Sequence, residues 1–218
     1  SDLYKDILKE YTTYTLELGY HNLFFPGGTR SRSGSVESRL KLGLIGTGIR
    51  AYINNIKAKK ESPNLNLFVV PCTISYQLVL EAEHLIEDFL KETGKSRYII
   101  DDDEFTKPRR IINFLNSLLS LDSRIYMTVC PALDLFENRV DKKGISYDNR
   151  GRPIDTNRYV LKDGKIEHDL QRDSEYTIEL GEEIKKLYYK NNVIMSTNLL
   201  AFVVYRLMIK YNPDMEFY

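Results

Sequence analysis

Leu23-Phe24-Phe25-Pro26-Gly27-Gly28-Thr29-Arg30-Ser31-Arg32-Ser33-Gly34 is the stretch on which the reading of this chain turns. An apolar run stops at a proline. Two glycines, two arginines and several hydroxyl residues follow. Glycine lets backbone N–H groups come close to a bound oxyanion. Arginine offers a planar fork of donors that fits phosphate better than a lysine ammonium does. The stretch predicts a strand, Asn22 to Phe25, that ends in an anion-binding loop over Gly27 to Ser38. A phosphorylated small molecule is the expected ligand.

Outward from this stretch, helices and strands alternate. Leu3, Ile7, Leu8, Tyr11, Tyr14 and Leu18 recur at helical spacing, with Gly19 as the stop. Leu40 to about Lys60 reads as a helix with a basic polar side, broken after it by Pro63 and Asn64. Leu67 to Ile74 is continuous, apolar and β-branched, the pattern of a strand covered on both faces. Leu78 to Leu90 is a further amphipathic helix. Ile111 to Leu121 is helical in period, and Asp101-Asp102-Asp103-Glu104 ahead of it suits a helix N-terminus. Ile125 to Val129 is a third strand, ended by Cys130-Pro131. Glu137 to Asn157 is a long polar stretch with several turn signals. Tyr159 to Glu167 predicts a hairpin with Asp163-Gly164 as its turn. Two helices close the chain, roughly Glu175 to Tyr189 and Met195 to Tyr211. No internal repeat is evident. The expected fold class is α/β, a mixed sheet with helices on both faces plus a helical C-terminal segment. The expected division is residues 1–130 and a C-terminal extension, residues 131–218.

Composition narrows the partners. The chain has 218 residues, enough for a sizeable core, and 31 basic side chains against 31 acidic ones. That balance gives no electrostatic pull toward nucleic acid. Both cysteines, Cys72 and Cys130, stand in apolar strand-like runs and read as buried free thiols of a reducing compartment. No signal peptide is evident. The longest apolar-rich stretch, Val193 to Ile209, contains Ser196, Thr197, Asn198 and Arg206. It is too short and too polar for a bilayer span.

Three blocks in register carry a family resemblance. They are the Gly-Arg stretch itself, Lys41-Leu42-Gly43-Leu44, and Val69-Val70-Pro71-Cys72-Thr73-Ile74-Ser75-Tyr76. Together they resemble the second half of the glycerol-3-phosphate and dihydroxyacetone-phosphate acyltransferases, from about Leu3 to Leu90. The segment Tyr4 to Tyr14 looks like the helix that precedes the Gly-Arg block. The resemblance implies transfer of an acyl group from acyl-CoA or acyl-carrier protein to the sn-1 hydroxyl of glycerol 3-phosphate, or to dihydroxyacetone phosphate. It implies no metal and no cofactor beyond the thioester. It also implies that Gly28, Thr29, Arg30, Ser31 and Arg32 hold the substrate phosphate, and that Val70, Pro71 and Ile74 shape the acyl-donor region. A cytoplasmic location with peripheral membrane contact goes with it, since the family's products are lipids.

Two departures qualify what is implied. The family usually carries a glutamate where this chain has Gly27. Its catalytic H-x4-D pair lies well upstream of the Gly-Arg block, ahead of the position to which Ser1 corresponds. The implied segment holds phosphate, contains no catalytic residue, and is inactive alone. It is completed by a preceding half or by self-association, or else it is a non-catalytic binding module.

Two other patterns compete. Gly43, Gly46 and Gly48 imitate a dinucleotide fingerprint, the NAD(P)-binding alternative. Pro71 then stands where the ribose-binding acid should end the second strand. The glycines are better read as close-packing positions in or near a helix. His168 and Asp173 form an H-x4-D pair, but after the Gly-Arg block and in a polar, turn-rich context, so a solvated hairpin end is expected. His21 reads as a surface or packing residue, and His84 as a helix-surface residue.

Overall fold

The computed structural model describes residues 2–27, 36–58, 66–77 and 124–211. Within them the chain is α/β in content, with four helices and three two-stranded sheets. The elements in order are α1 (Asp2–Glu17), α2 (Ile45–Lys57), β1 (Cys72–Tyr76), β2 (Ile125–Val129), β3 (Arg139–Val140), β4 (Ser146–Tyr147), a 3₁₀ turn (Thr156–Val160), β5 (Leu161–Lys162), β6 (Lys165–Ile166), α3 (Leu170–Asn191) and α4 (Ser196–Tyr211). The expected helices Leu78–Leu90 and Ile111–Leu121, the Asp101–Glu104 run and His84 lie outside the described residues. Two compact units divide the chain. One comprises Ser1–Thr73 and Val129–Asn191, the other Ile74–Thr128 and Asn192–Tyr218.

The first unit is built around α2. Ile45, Ile49, Tyr52 and Ile53 recur at three- and four-residue steps and are all buried, as an inward helix face requires. Ile49, Tyr52 and Ile53 pack with Leu135, Phe136 and Val160. Ile45 packs with Leu133, Leu180 and Ile184. Phe136 joins the ring of Tyr159, stacked at 4.6 Å, and the edge of Tyr176 at 5.2 Å. Gly46 and Gly48 lie inside α2. A Cβ on Gly48 would come within 2.8 Å of a Leu135 methyl, and one on Gly46 within 3.3 Å of the Thr177 hydroxyl. A turn, not a strand, leads into them. They are close-packing positions, and no dinucleotide turn is formed there.

α1 ends where the sequence stops it. Gly19 has φ 83°, and Gly19 N and Tyr20 N donate to Leu16 O and Thr15 O at 3.0 Å, a Schellman closure. Its orientation differs from the expectation. Thr12 and Thr13 are buried, while Leu3, Ile7, Tyr11, Tyr14 and Leu18 are exposed. Polar pairs decide this. Arg50 on α2 binds Glu10 with both guanidinium nitrogens, and Asn54 donates to Glu17 at 2.6 Å.

The segment Asn22 to Phe25 forms no strand. Asn22 instead donates to the Thr15 hydroxyl at 3.1 Å and turns the chain back onto α1. Phe24 alone points to the core, with Leu23 and Phe25 88% and 77% exposed. The stretch Leu67 to Ile74 divides in two. Val69 pairs with Leu133 through two backbone bonds of 2.8 and 2.9 Å, and β1 follows. β1 pairs with β2. Cys130 N donates to Pro71 O, and Gln77 N to Arg124 O, so the two strands run in opposite directions. Within this stretch Phe68, Val70 and Ile74 are exposed. Cys130 is buried, but Cys72 is exposed, which corrects the reading of two buried thiols.

The polar stretch contains one turn built three times. Asp134, Asp141 and Asp148 stand seven residues apart. Each accepts, through one carboxylate oxygen, the N–H groups two and four residues on, at 2.8–2.9 Å. The residue three on is left-handed each time: Glu137 (φ 61°), Gly144 (φ 79°) and Gly151 (φ 76°). The repeat is not visible as a sequence repeat, because only the aspartate recurs strictly. The predicted hairpin is present as β5 and β6, with Asp163 (φ 50°) and Gly164 (φ 77°) at its turn.

Candidate functional site

The loop that carries Gly28, Thr29, Arg30, Ser31 and Arg32 lies outside the described residues, but both of its ends are described. Phe24 before it, and Leu40 and Leu42 after it, pack on the same cluster of Ile45, Leu133, Leu180 and Ile184. Lys41 N donates to Pro26 O at 2.7 Å and closes the neck. Pro26 and Lys41 are thereby joined by a backbone bond, with three apolar anchors, Phe24, Leu40 and Leu42, beside it. α2 begins at Ile45, a few residues past the neck, with no side chain capping its first N–H groups.

Gly27 sits under a carboxylate. A Cβ placed there would lie 2.5 Å from Glu37 Oε1 and 2.7 Å from Glu37 Cγ and Cδ. The Glu37 side chain thus occupies the space that a side chain at position 27 would enter. The absence of a side chain at Gly27 and the placement of an acid from ten residues on are one arrangement. In one dimension the pair is invisible, because the two residues meet only when the neck closes.

Of the expected acyl-donor residues, Val70 and Ile74 fall on the exposed side of the strand and Pro71 on the buried side. Strand alternation separates them this way. Pro71 O is also engaged by Cys130 N at 2.8 Å.

His168 and Asp173 come together, but as part of a brace. The His168 Nδ1 lies 3.7 Å from Asp173 Oδ2, and its Nε2 is 2.8 Å from Asn54 Oδ1. Asn54 uses its amide on Glu17, so the Nε2 is the donor in that bond. Asp173 also accepts from Arg172 at 2.7 Å and from the backbone N–H of Asp169. Asp169 in turn caps α3, accepting from Gln171 N and Arg172 N. Both imidazole nitrogens therefore face groups of the brace. Burial, then Lys57 and Arg50, lowers the His168 pKa against the pull of Asp173. His21 is exposed. Among the described residues no group of His, Cys, Asp and Glu is arranged to hold a metal ion, and no single helix is long and apolar enough to cross a membrane.

No family model, curated protein or solved structure matches this chain.

Proposed function

We propose that the Gly28–Arg32 loop binds the phosphate of a small polyol phosphate, glycerol 3-phosphate or dihydroxyacetone phosphate. In this reading the chain is the substrate-holding part of an enzyme that acylates the sn-1 oxygen from acyl-CoA or acyl-carrier protein. The observation that carries the reading is the neck: a closed base with the Glu37 carboxylate laid over Gly27. A carboxylate beside an anion site repels a bare anion and favours a ligand whose hydroxyls donate to it. Glu37 thus supplies an acid at the place where the resembling family carries one at the position of Gly27. The exposed apolar stripe of α1, from Leu3 to Leu18, suits a segment on which a preceding half packs. In the complete sheet of such an enzyme, helices would cover both faces. Orientation of the hydroxyl by a fixed phosphate is the contribution this part makes to rate. The general base comes from the preceding half.

Calorimetry with glycerol 3-phosphate tests this. Arg30→Ala should lose roughly 1.5–3 kcal/mol of binding, the range for a charge-assisted hydrogen bond. Arg30→Lys should recover only part, since the fork geometry is lost. Glu37→Ala should weaken glycerol 3-phosphate but not inorganic phosphate. Unchanged affinity in Arg30→Ala would sink the assignment.

A further inference from the structure

We infer that Glu37 makes the site select glycerol 3-phosphate over dihydroxyacetone phosphate, because a carboxylate accepts from a hydroxyl and repels a ketone oxygen. With Gly28–Arg32 holding the phosphate, a reading on which this selection rests, the two ligands differ at one carbon. The middle carbon carries a hydroxyl in glycerol 3-phosphate and a ketone oxygen in its oxidised counterpart. A hydroxyl can donate, whereas a ketone oxygen and an ionised carboxylate only accept. Glu37 therefore gains a charge-assisted hydrogen bond with the first ligand and meets an opposed acceptor in the second.

The position of the acid picks out the middle carbon. Gly27 immediately precedes Gly28 in the chain, and Glu37 Oε1 stands 2.5 Å from where a Cβ on Gly27 would be. Pro26 and Lys41, which flank this pair in sequence, are joined by a backbone bond of 2.7 Å. An acid next to the first phosphate-holding residue reaches the hydroxyl nearest the phosphate, and that is the one on the middle carbon. The terminal hydroxyl has another task. It takes the acyl group, and negative charge grows there in the transition state, where a fixed carboxylate would oppose it. Gly27 leaves room for Glu37 for a spatial reason and not a conformational one. The described glycines with positive φ are Gly19, Gly144, Gly151 and Gly164, and Gly27 is not one of them. An alanine would fit the backbone at position 27, but its methyl would displace the Glu37 side chain.

Calorimetry of the full chain with glycerol 3-phosphate, dihydroxyacetone phosphate and inorganic phosphate tests the selection. The parent chain should bind glycerol 3-phosphate roughly tenfold or more tightly than the ketone, the lower end for a charge-assisted hydrogen bond. Glu37→Gln keeps the size of the side chain and adds an amide N–H that can donate to a ketone oxygen. Its preference should vanish or reverse, with inorganic phosphate bound as in the parent chain. Gly27→Ala should lose the preference in the same way. Equal affinity of the parent chain for the two ligands, or a preference that survives Glu37→Gln, would overturn the selection and leave the phosphate loop standing. A fall of all three affinities together in Glu37→Gln would also overturn it, since Glu37 would then act on the loop and not on the hydroxyl. Inorganic phosphate binding that Arg30→Ala leaves unchanged, or no binding of any of the three, would instead remove the loop reading and this selection with it.

Discussion

Glu137 is the residue whose conformation is least suited to its side chain. It takes the left-handed position of the first aspartate turn, where the second and third turns have Gly144 and Gly151. A side chain there costs roughly 1–2 kcal/mol, and glycine gives back about 0.5–1 kcal/mol through a freer unfolded chain. Burial and the nearby Glu179 and Glu183 also raise its pKa, so its ionised carboxylate is less favourable in the fold than in the unfolded chain. Glu137→Gly should therefore stabilise the protein by about 0.5–1 kcal/mol, read as a higher urea midpoint with unchanged slope. Glu137→Ala keeps the Cβ in the left-handed region and should not reproduce that gain. A lower midpoint for Glu137→Gly would show that its carboxylate holds the turn. The turn chemistry of Asp163-Gly164 was legible in the sequence, because glycine and aspartate announce positive φ. Glu137 was not, since nothing in a glutamate announces it. The Glu37–Gly27 contact was equally hidden, because it exists only once Lys41 has reached Pro26.

Among elements, α2 and α4 are both apolar helices, and the structure assigns them opposite surroundings. Ile53 is fully buried among Leu135, Phe136 and Val160, whereas Leu200 is 65% exposed. Ile53→Ala removes packed methylenes and leaves a cavity, for about 2–5 kcal/mol of lost stability. Leu200→Ala in water should change stability by no more than about 0.5 kcal/mol. Chemical denaturation of both variants checks the contrast, and equal losses would mean that α4 is core. Periodicity predicted that both helices exist; α4 begins within one residue of its expected start, whereas α2 begins at Ile45, five residues after the expected Leu40. It could not assign burial, because burial depends on what the rest of the chain supplies to pack against. α1 makes the same point. Its apolar stripe is regular, yet Glu10 and Glu17 turn the opposite face toward Arg50 and Asn54 of α2.

Across the first unit, the His168 brace connects the ends of three helices through Glu17, Asn54 and Asp173. Its folded-state pKa lies below the ordinary histidine value of about 6.5. The sign follows from linkage: the contribution is fully present above that value and is lost as pH falls through the folded pKa, because the unfolded state takes up the proton first. The lowered carboxylates Asp141, Asp148 and Asp169 act only in more acid solution, below about pH 4. The melting temperature should thus fall from pH 7 to about pH 5.5 in the parent chain and fall less in His168→Gln. Equal slopes would remove His168 from the account. Taken alone, the sequence determined what short-range physics determines: the existence of the four described helices, the Schellman stop at Gly19, the end of β2 at Cys130-Pro131 and the Asp163-Gly164 hairpin. These depend on residues within a few positions of one another. Tertiary structure decided which helix faces are buried, that Asn22–Phe25 forms no strand, that His168 and Asp173 brace α3, and that Glu37 covers Gly27. Each of these is a contact between residues distant in the chain or a choice between competing contacts, and its free energy exists only after the chain has closed.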